Sequence, residues 1–170
     1  MDREPEYVSD LRATVDRAAE QLRLIPDAVA SARPAPGKWS VKEIIGHLID
    51  SAANNHPRFM LARWQEDLVF PGYAQDDWVA AQDYQTAPWL ELIALWHGYN
   101  RHLARVMASV PLDARTRLRQ RHSLDRIAWQ TIPADQPATL EYFMRDYVGH
   151  LEHHLRQIAD IVPQLSRPVG

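Results

Sequence analysis

Apolar residues recur every three or four positions through four stretches of this 170-residue chain, and no stretch shows the strict alternation of a half-buried strand. The pattern predicts helices at about residues 6–29, 40–66, 88–109 and 137–161. Pro26 is expected to kink or end the first helix. The capping-box pattern of Ser40-Val41-Lys42-Glu43 is expected to start the second. Four amphipathic helices predict an all-α four-helix bundle, formed as a single domain over residues 1–170 with its core at about 6–162.

The segments between these helices differ in length. Residues 67–87, between the second and third helices, are numerous enough to cross the end of a bundle, so we expect a long crossover connection there. Neighbouring helices then need not alternate in direction. Residues 110–136 are expected to be irregular or partly extended.

The last predicted helix carries two histidines on its apolar face. His150 and His154 are one helical turn apart, which is a spacing that can hold one metal ion. Buried imidazoles need polar partners, so a pair on this face favours metal binding over two separate core histidines. His153 shares its side of the helix with polar residues and is interpreted as a surface residue.

A third histidine, His47, lies on the apolar stripe of the second helix and is expected to face the same interior. Alone it would be interpreted as a hydrogen-bonded core residue; with His150 and His154 it predicts a mononuclear metal site with coordination positions left for water or substrate. Glu152 is two residues from His150 and therefore lacks the position of a zincin base. The chain lacks the pattern of paired inward glutamates that a di-iron centre requires.

Other residues are candidates for supporting roles. Asp50 lies one turn after His47 and could accept a proton or orient a ligand, although it could equally be an exposed helical carboxylate. The rim of the site could include Trp39, Trp64 and Trp96, although tryptophans at helix ends more often simply close a core. Among the remaining histidines, His56 and His102 are not expected to be ligands, and His97 could approach the site but is expected at the surface. His122 lies in the irregular segment, where the sequence gives no indication of its role.

Composition narrows the functional classes. The net charge is −3 and the basic residues are dispersed, which argues against nucleic acid as a partner. There is no cysteine, so cysteine nucleophiles and thiolate-ligated metals are excluded. No apolar run is long enough for a membrane span or a signal peptide, and we expect a cytoplasmic protein.

Several of these segments resemble the DinB/YfiT-like proteins. They are the stretch from Pro36 to Glu43, the run His47-Leu48-Ile49-Asp50-Ser51, Arg58-Phe59, the connection from Pro71 to Trp78, and His150-x-x-His153-His154. The resemblance covers about residues 30–160 and is nearest to the YfiT branch. It implies a four-helix bundle with a long crossover, a homodimer, and a divalent metal, zinc or nickel, on His47, His150 and His154.

The resemblance also implies a range of activities. Members are described as metal-dependent hydrolases, and some relatives transfer low-molecular-weight thiols such as bacillithiol or mycothiol to electrophiles. Related sulfoxide synthases carry a glutamate where this chain has Arg156, which argues against oxidative iron chemistry. We expect a metal-dependent thiol S-transferase acting on a small-molecule thiol and an electrophile. The alternatives are a metal-dependent hydrolase and a non-catalytic metal- or ligand-binding bundle.

Overall fold

The computed structural model describes residues 4–166, which form eight helices and no strand. The long helices are α1 (Glu6–Arg23), α3 (Val41–Leu61), α5 (Trp89–Ala108) and α8 (Leu140–Leu165). The short ones are α2 (Asp27–Ser31), α4 (Gln75–Gln82), α6 (Leu112–Thr116) and α7 (Leu124–Ile127). The predicted four-helix bundle is therefore confirmed.

The boundaries of several elements differ from the predicted ones. The first helix ends at Arg23, and Pro26 is the N-cap of the separate α2, because proline fixes its own φ and cannot donate to the preceding turn. The second ends at Leu61 rather than near residue 66. Helix α4 was not predicted; it lies within the long connection. Residues 110–136 contain α6 and α7, and isolated bridges join Leu68 to His122 and Arg119 to Ala138.

Helices α3 and α5 run parallel. Near their first residues, Lys42 Nζ donates to the carbonyl of Ala87 (3.0 Å), and near their last, Arg63 Nη1 donates to Ser109 Oγ (3.1 Å). Two helices that follow one another in the chain can be parallel only if their connection returns along the whole bundle. The predicted crossover between them is thus confirmed.

Helix α8 runs antiparallel to α3. His47 meets His150 at one end of this pair, and Phe59 meets Phe143 at the other, with ring centroids 5.1 and 5.3 Å apart. Helix α1 is antiparallel to α5 and parallel to α8. Each long helix packs against two others, in the cyclic order α1, α5, α3, α8.

One hydrophobic core fills the space between the four long helices, and Trp96, Phe59 and Phe143 are its largest fully enclosed side chains. Helix α3 is buried on nearly every face because α2 and α4 cover the side that α5 and α8 leave open. It therefore buries polar side chains as well as apolar ones: Lys42, Glu43, His47, Asp50, Ser51, Asn55 and Arg58. Within residues 4–166, no helix is long and apolar enough to cross a membrane.

Candidate metal centre

The first turn of α3 is fixed by the capping box that its sequence predicted. Ser40 Oγ accepts from the backbone N–H of Glu43 (3.2 Å), and the Ser40 N–H donates to Glu43 Oε2 (2.8 Å). Such reciprocal bonds satisfy two otherwise unpaired donors and set where the helix begins. They thereby set the direction in which His47, one turn further on, leaves the helix.

Helix α8 is capped by Thr139, the residue before its first turn, whose Oγ1 accepts from the N–H of Tyr142 (3.0 Å). Its buried stripe includes Phe143, Tyr147 and Leu151 and packs into the core. This packing turns His150 and His154 toward α3, since residues four apart share a face.

The three imidazoles converge. The Nε2 atom of His150 lies 3.2 Å from that of His47 and 3.1 Å from that of His154. Within the described part of the chain, these are the three side chains whose ligand atoms all lie within 4.8 Å of one another. His47 has no exposed surface, whereas His150 and His154 are half-buried.

This geometry fits a divalent metal. Two nitrogens at tetrahedral positions, each about 2.0–2.1 Å from zinc, are about 3.3 Å apart. The two measured nitrogen separations are close to that value. If the three rings carry their protons on Nδ1, three Nε2 lone pairs converge on one point, and a cation there would satisfy all of them. The set could therefore hold a divalent ion.

Burial makes these histidines poor bases and keeps each imidazole neutral, with a proton on one ring nitrogen and a lone pair on the other. Desolvation, with a smaller effect of His154, lowers the pKa of His47 to about 3. Desolvation and the neighbouring histidines lower the pKa of His150 to about 3 as well, and desolvation lowers the pKa of His154. All three are neutral at pH 7, the state in which imidazole binds metal.

The Nδ1 atoms of the histidines, on the side of each ring away from the converging Nε2 atoms, have different contacts on the two helices. On α8, Nδ1 of His154 donates to Oε1 of Gln157 (2.9 Å), which leaves Nε2 as the lone-pair nitrogen. On α3, Nδ1 of His47 is buried and has no hydrogen-bond partner among the described residues. The ring of Trp39 lies beside it, at 5.0 Å between centroids.

A cavity of about 270 Å³ opens beside the α8 histidines. The crossover contributes Gly72 and Tyr73 to its wall, and the connection before α8 contributes Trp129. The polar and charged side chains of its lining are Ser51, Asn55, Arg58, Tyr73, Gln75, Arg126, Asp146, His150, His153 and His154. A small molecule that enters the cavity therefore reaches two of the three histidines, while His47 lies outside the lining.

Asp50 is fully buried and faces a different part of the molecule. Its Oδ1 accepts from Gln82 Nε2 of α4 and from the hydroxyl of Tyr84, both at 2.6 Å. It does not line the cavity. Burial raises the pKa of this carboxyl group, with the two hydrogen bonds acting in the opposite direction. Its role as a base or ligand-orienting group stays a prediction, and the exposed-carboxylate interpretation is wrong because Asp50 is 2% exposed.

Tyr84 reaches Asp50 because residue 46 is glycine. A Cβ atom at Gly46 would lie 2.1 Å from Cδ2 of the Tyr84 ring. The missing side chain thus lets a loop aromatic close over α3 one residue before His47. Tyr84 was not among the predicted site residues, because nothing local in the sequence indicates that residue 84 packs on residue 46.

The tryptophan predictions are partly right. Trp39 contacts His47, but Trp96 is fully enclosed in the core and Trp64 is 71% exposed. The aromatic residue that was not predicted is Trp129, whose ring lies 6.4 Å from His150 and 5.4 Å from His153. A Cβ at Gly149 would come within 3.2 Å of it. A glycine inside a helix, at position 149, was the available signal of a close neighbour, but nothing local in the sequence identifies Trp129 as that neighbour.

The remaining histidines lie apart from the three-histidine cluster. His97 contacts Asp16 of α1 (2.7 Å), and His56 packs against Tyr99 and His102 on α5. The fourth, His122, accepts from the N–H of Leu124 and contacts the carbonyl of Gln136, so it joins loop segments. His153 is exposed, as predicted, but it also lies at the cavity rim.

Taken together, the fold and the site define a four-helix-bundle protein with three converging histidines beside a cavity, a set that could bind a metal ion. The chain belongs to the DinB superfamily, whose family model matches residues 10–158.

Relatives and a solved structure agree with this assignment. The proposed metal-dependent hydrolase YfiT of Bacillus subtilis is 23% identical over 96% of this chain and 84% of its own length. The proposed metal-dependent hydrolase OB0413 of Oceanobacillus iheyensis is 24% identical over 46% of this chain and 45% of its own. The solved structure of Bacillus subtilis YfiT, described as a probable metal-dependent hydrolase with an unusual four-helix bundle topology, superposes with a TM-score of 0.76 at 20% identity. That match covers 99% of this chain and 94% of the other.

Proposed function

We propose that the protein is a divalent-metal-dependent enzyme that transfers a low-molecular-weight thiol to a small electrophile. The observation that carries the proposal is a histidine cluster with one closed side and one side open to a cavity. His47, His150 and His154 would hold the ion. A bound divalent ion supplies Lewis acidity, which lowers the pKa of a coordinated thiol or water.

The carboxylates around the site favour a thiol as the nucleophile. Hydrolysis commonly uses a carboxylate as general base close to the attacking water. Among the described residues, Asp146 is the one acid in the cavity lining, and its two oxygens accept from the backbone N–H groups of Trp129 (2.8 Å) and Gln130 (2.7 Å). A thiol ionises much more readily than water and needs no such base. The chain has no cysteine of its own, so the thiol must be a cosubstrate.

In the net reaction, the cosubstrate S–H bond is broken and a sulfur–carbon bond forms. The bond from that carbon to its leaving group breaks, and the leaving group departs with the electron pair while the thiol proton passes to it or to water. The protein residues position the two substrates and exclude water: the wall residues Tyr73 and Trp129 flank the space in which they meet.

The test is conjugate formation by metal-loaded protein with bacillithiol, mycothiol or glutathione and an electrophilic probe such as monochlorobimane. We expect a rate above background with at least one thiol, lost on chelation and lost in His150→Ala. The matched control is His153→Ala, the neighbouring exposed histidine, which should keep the metal and most of the rate. Background rates with all three thiols would contradict the proposal.

A hydrolase is the second candidate, because the relatives are described as metal-dependent hydrolases. Cleavage of p-nitrophenyl esters in thiol-free buffer, lost on chelation, would favour it. Full metal occupancy with turnover in neither assay would instead support a non-catalytic metal-binding bundle.

The expected ion is zinc or nickel, and the expected assembly is a homodimer. Imidazole ligands suit both ions. Elemental analysis of protein purified without added metal would identify the ion, and light scattering would give the oligomeric state.

A further inference from the structure

A buried cationic side chain lies in the cavity beside the histidines. Arg58, in the last turn of α3, is 5% exposed and lines the cavity together with His150 and His154. Its Nη1 donates to Oδ1 of Asn55 (3.2 Å), and its Nη2 donates to the carbonyl of Pro71. Both acceptors are neutral.

No carboxylate balances this charge. Across residues 4–166, no acidic oxygen lies within 4.0 Å of the Arg58 guanidinium. Both oxygens of Asp146 accept from backbone N–H groups, and Oδ1 of Asp50 accepts from Gln82 and Tyr84; Oδ2 of Asp50 has no partner among the described residues and lies more than 4.0 Å from the guanidinium. A buried guanidinium stays charged at neutral pH, and burying it without an anion costs several kcal/mol.

Arg119 shows what a purely structural buried arginine looks like in this fold. It is 2% exposed, and its guanidinium donates to the backbone carbonyls of Ala62, Ala114 and Arg117 at 2.9–3.1 Å. It thus joins the end of α3 to α6 and the following loop, and it does not line the cavity. Arg58 makes two hydrogen bonds where Arg119 makes three, and it lines the cavity, where a small molecule could reach it.

A phenol lies near Arg58 in the same wall. Tyr73, on the crossover, is half-buried and lines the cavity. Burial, with a further contribution from Asp50 and against the charge of Arg58, raises the pKa of Tyr73 to about 12. The hydroxyl therefore keeps its proton at neutral pH and can donate a hydrogen bond. A guanidinium fork with a phenolic donor beside it is suited to a carboxylate or phosphate oxygen.

We propose that Arg58 and Tyr73 form a binding site for a compact oxyanion, a carboxylate or phosphate group carried by the small molecule that enters this cavity. The protein would then select negatively charged substrates. That substrate assignment depends on the proposed function, whereas the anion site itself depends only on the arrangement of Arg58, Tyr73 and the cavity.

The test is binding of acetate and of inorganic phosphate, with neutral acetamide as the uncharged comparison. Each is titrated into the purified protein before and after chelator treatment, and binding is followed in ¹H–¹⁵N spectra through the Arg58 Nε–Hε signal in wild type and through the backbone amide signal of Tyr73 in wild type and every variant. We expect saturable shifts of the Arg58 signal with acetate or phosphate in both preparations and none with acetamide. Arg58→Met should raise the dissociation constant of the anion about tenfold or more.

Two control variants show whether the Arg58 guanidinium itself binds the anion. Arg126→Met removes an exposed arginine from the same cavity and should change the affinity less than threefold. Arg58→Lys keeps the charge but not the fork; it should bind more weakly than wild type and more tightly than Arg58→Met, and it guards against a folding defect in the methionine variant.

Equal affinity in wild type and Arg58→Met would overturn the proposal, as would no binding of either anion at 50 mM. Anion binding that disappears on chelation and is indifferent to Arg58→Met would place the anion on the metal and would overturn it as well. Failure of the thiol-transfer assay leaves this result unaffected, since no turnover is measured here.

Discussion

The two helices that supply the histidines differ in how they are buried. Helix α3 is enclosed on nearly every face by α5, α8, α2 and α4, and its His47 is sealed beneath Trp39. Helix α8 buries one stripe and leaves the other side exposed, so His150 and His154 border the cavity. Helix α3 therefore provides a fixed ligand, and α8 provides the side from which the site is approached.

The largest effect, on the affinity for a divalent metal, should come from removing one of the three clustered histidines. His47→Ala and His154→Ala should each lower the affinity for a divalent metal by at least about a hundredfold, since even changes to the partners of ligands cost 10–100-fold. Isothermal titration with zinc or nickel measures this, with His153→Ala as the control that retains affinity. Equal metal content in all three variants would show that the cluster is not the metal site.

Chemical rescue should distinguish the two sides directly. In His154→Gly, millimolar imidazole can enter from the cavity and should restore metal binding. In His47→Gly it should not, because the closed side offers no path to the vacated space. Rescue of both variants to the same extent would show that the α3 side is as open as the α8 side.

A smaller effect, on the stability of the fold, is expected at Gly46, where the ring of Tyr84, just after α4, closes over α3. Gly46→Ala should lower the free energy of unfolding by about 1–3 kcal/mol, because its Cβ would overlap the Tyr84 ring. The matched control is Gly98→Ala on α5, where nothing lies within 4 Å and the better helix propensity of alanine should add up to about 1 kcal/mol. Urea denaturation measures both; a neutral or stabilising Gly46→Ala would mean that Tyr84 moves away at little cost.

The enclosed histidine also predicts a pH dependence in chelator-treated protein. The pKa of His47 is about 3 in the folded state because of burial, while an unfolded histidine titrates near about 6.5. Between these values the unfolded chain takes up a proton that the folded chain excludes. Stability should thus be complete above about pH 6.5 and fall toward pH 3, by up to about 1.4 kcal/mol per pH unit from this residue.

Urea midpoints between pH 7 and pH 5 measure this slope. His47→Gln should make the slope shallower by the contribution of one histidine, while His150 and His154, whose pKa values are also lowered by burial, keep their contributions. A wild-type slope that persists in His47→Gln would assign the pH dependence to other groups.

The smallest effect, again on metal affinity, is expected at Gln157, on the exposed side of α8. Its side chain is exposed and accepts from His154 Nδ1, so Gln157→Ala should weaken metal binding by no more than about tenfold, because water can take its place. Metal titration at fixed pH tests this. A loss as large as that of His154→Ala would show that the open side is as rigidly organised as the enclosed one.

Sequence periodicity predicted the parts of the molecule that depend on local rules. The four long helices, the capping box at Ser40 and the inward faces of His47, His150 and His154 follow from spacing within single helices. Helix α4, the position of Tyr84 over Gly46 and the place of Trp129 in the cavity wall were not predicted. These depend on which distant segment covers which helix, and weak amphipathicity in a short helix gives no indication of its partner.

The burial of Asp50 and Arg58 has the same origin. Both are polar residues on a helix face that would be exposed in a plain four-helix bundle, and both are enclosed here because the connections fold back over α3. A pattern of polar positions cannot distinguish a face in water from a face covered by a loop.

The crossover that makes α3 and α5 parallel has an evolutionary consequence. It brings Tyr73 to the cavity while the histidines stay on long helices, and Trp129 arrives from a different connection. Insertions or replacements in these two connections could reshape the cavity without displacing any of the three histidines. Relatives could thus diverge in the shape of this cavity while inheriting the same three-histidine framework, and grafted loops would be the natural route to redesigned selectivity.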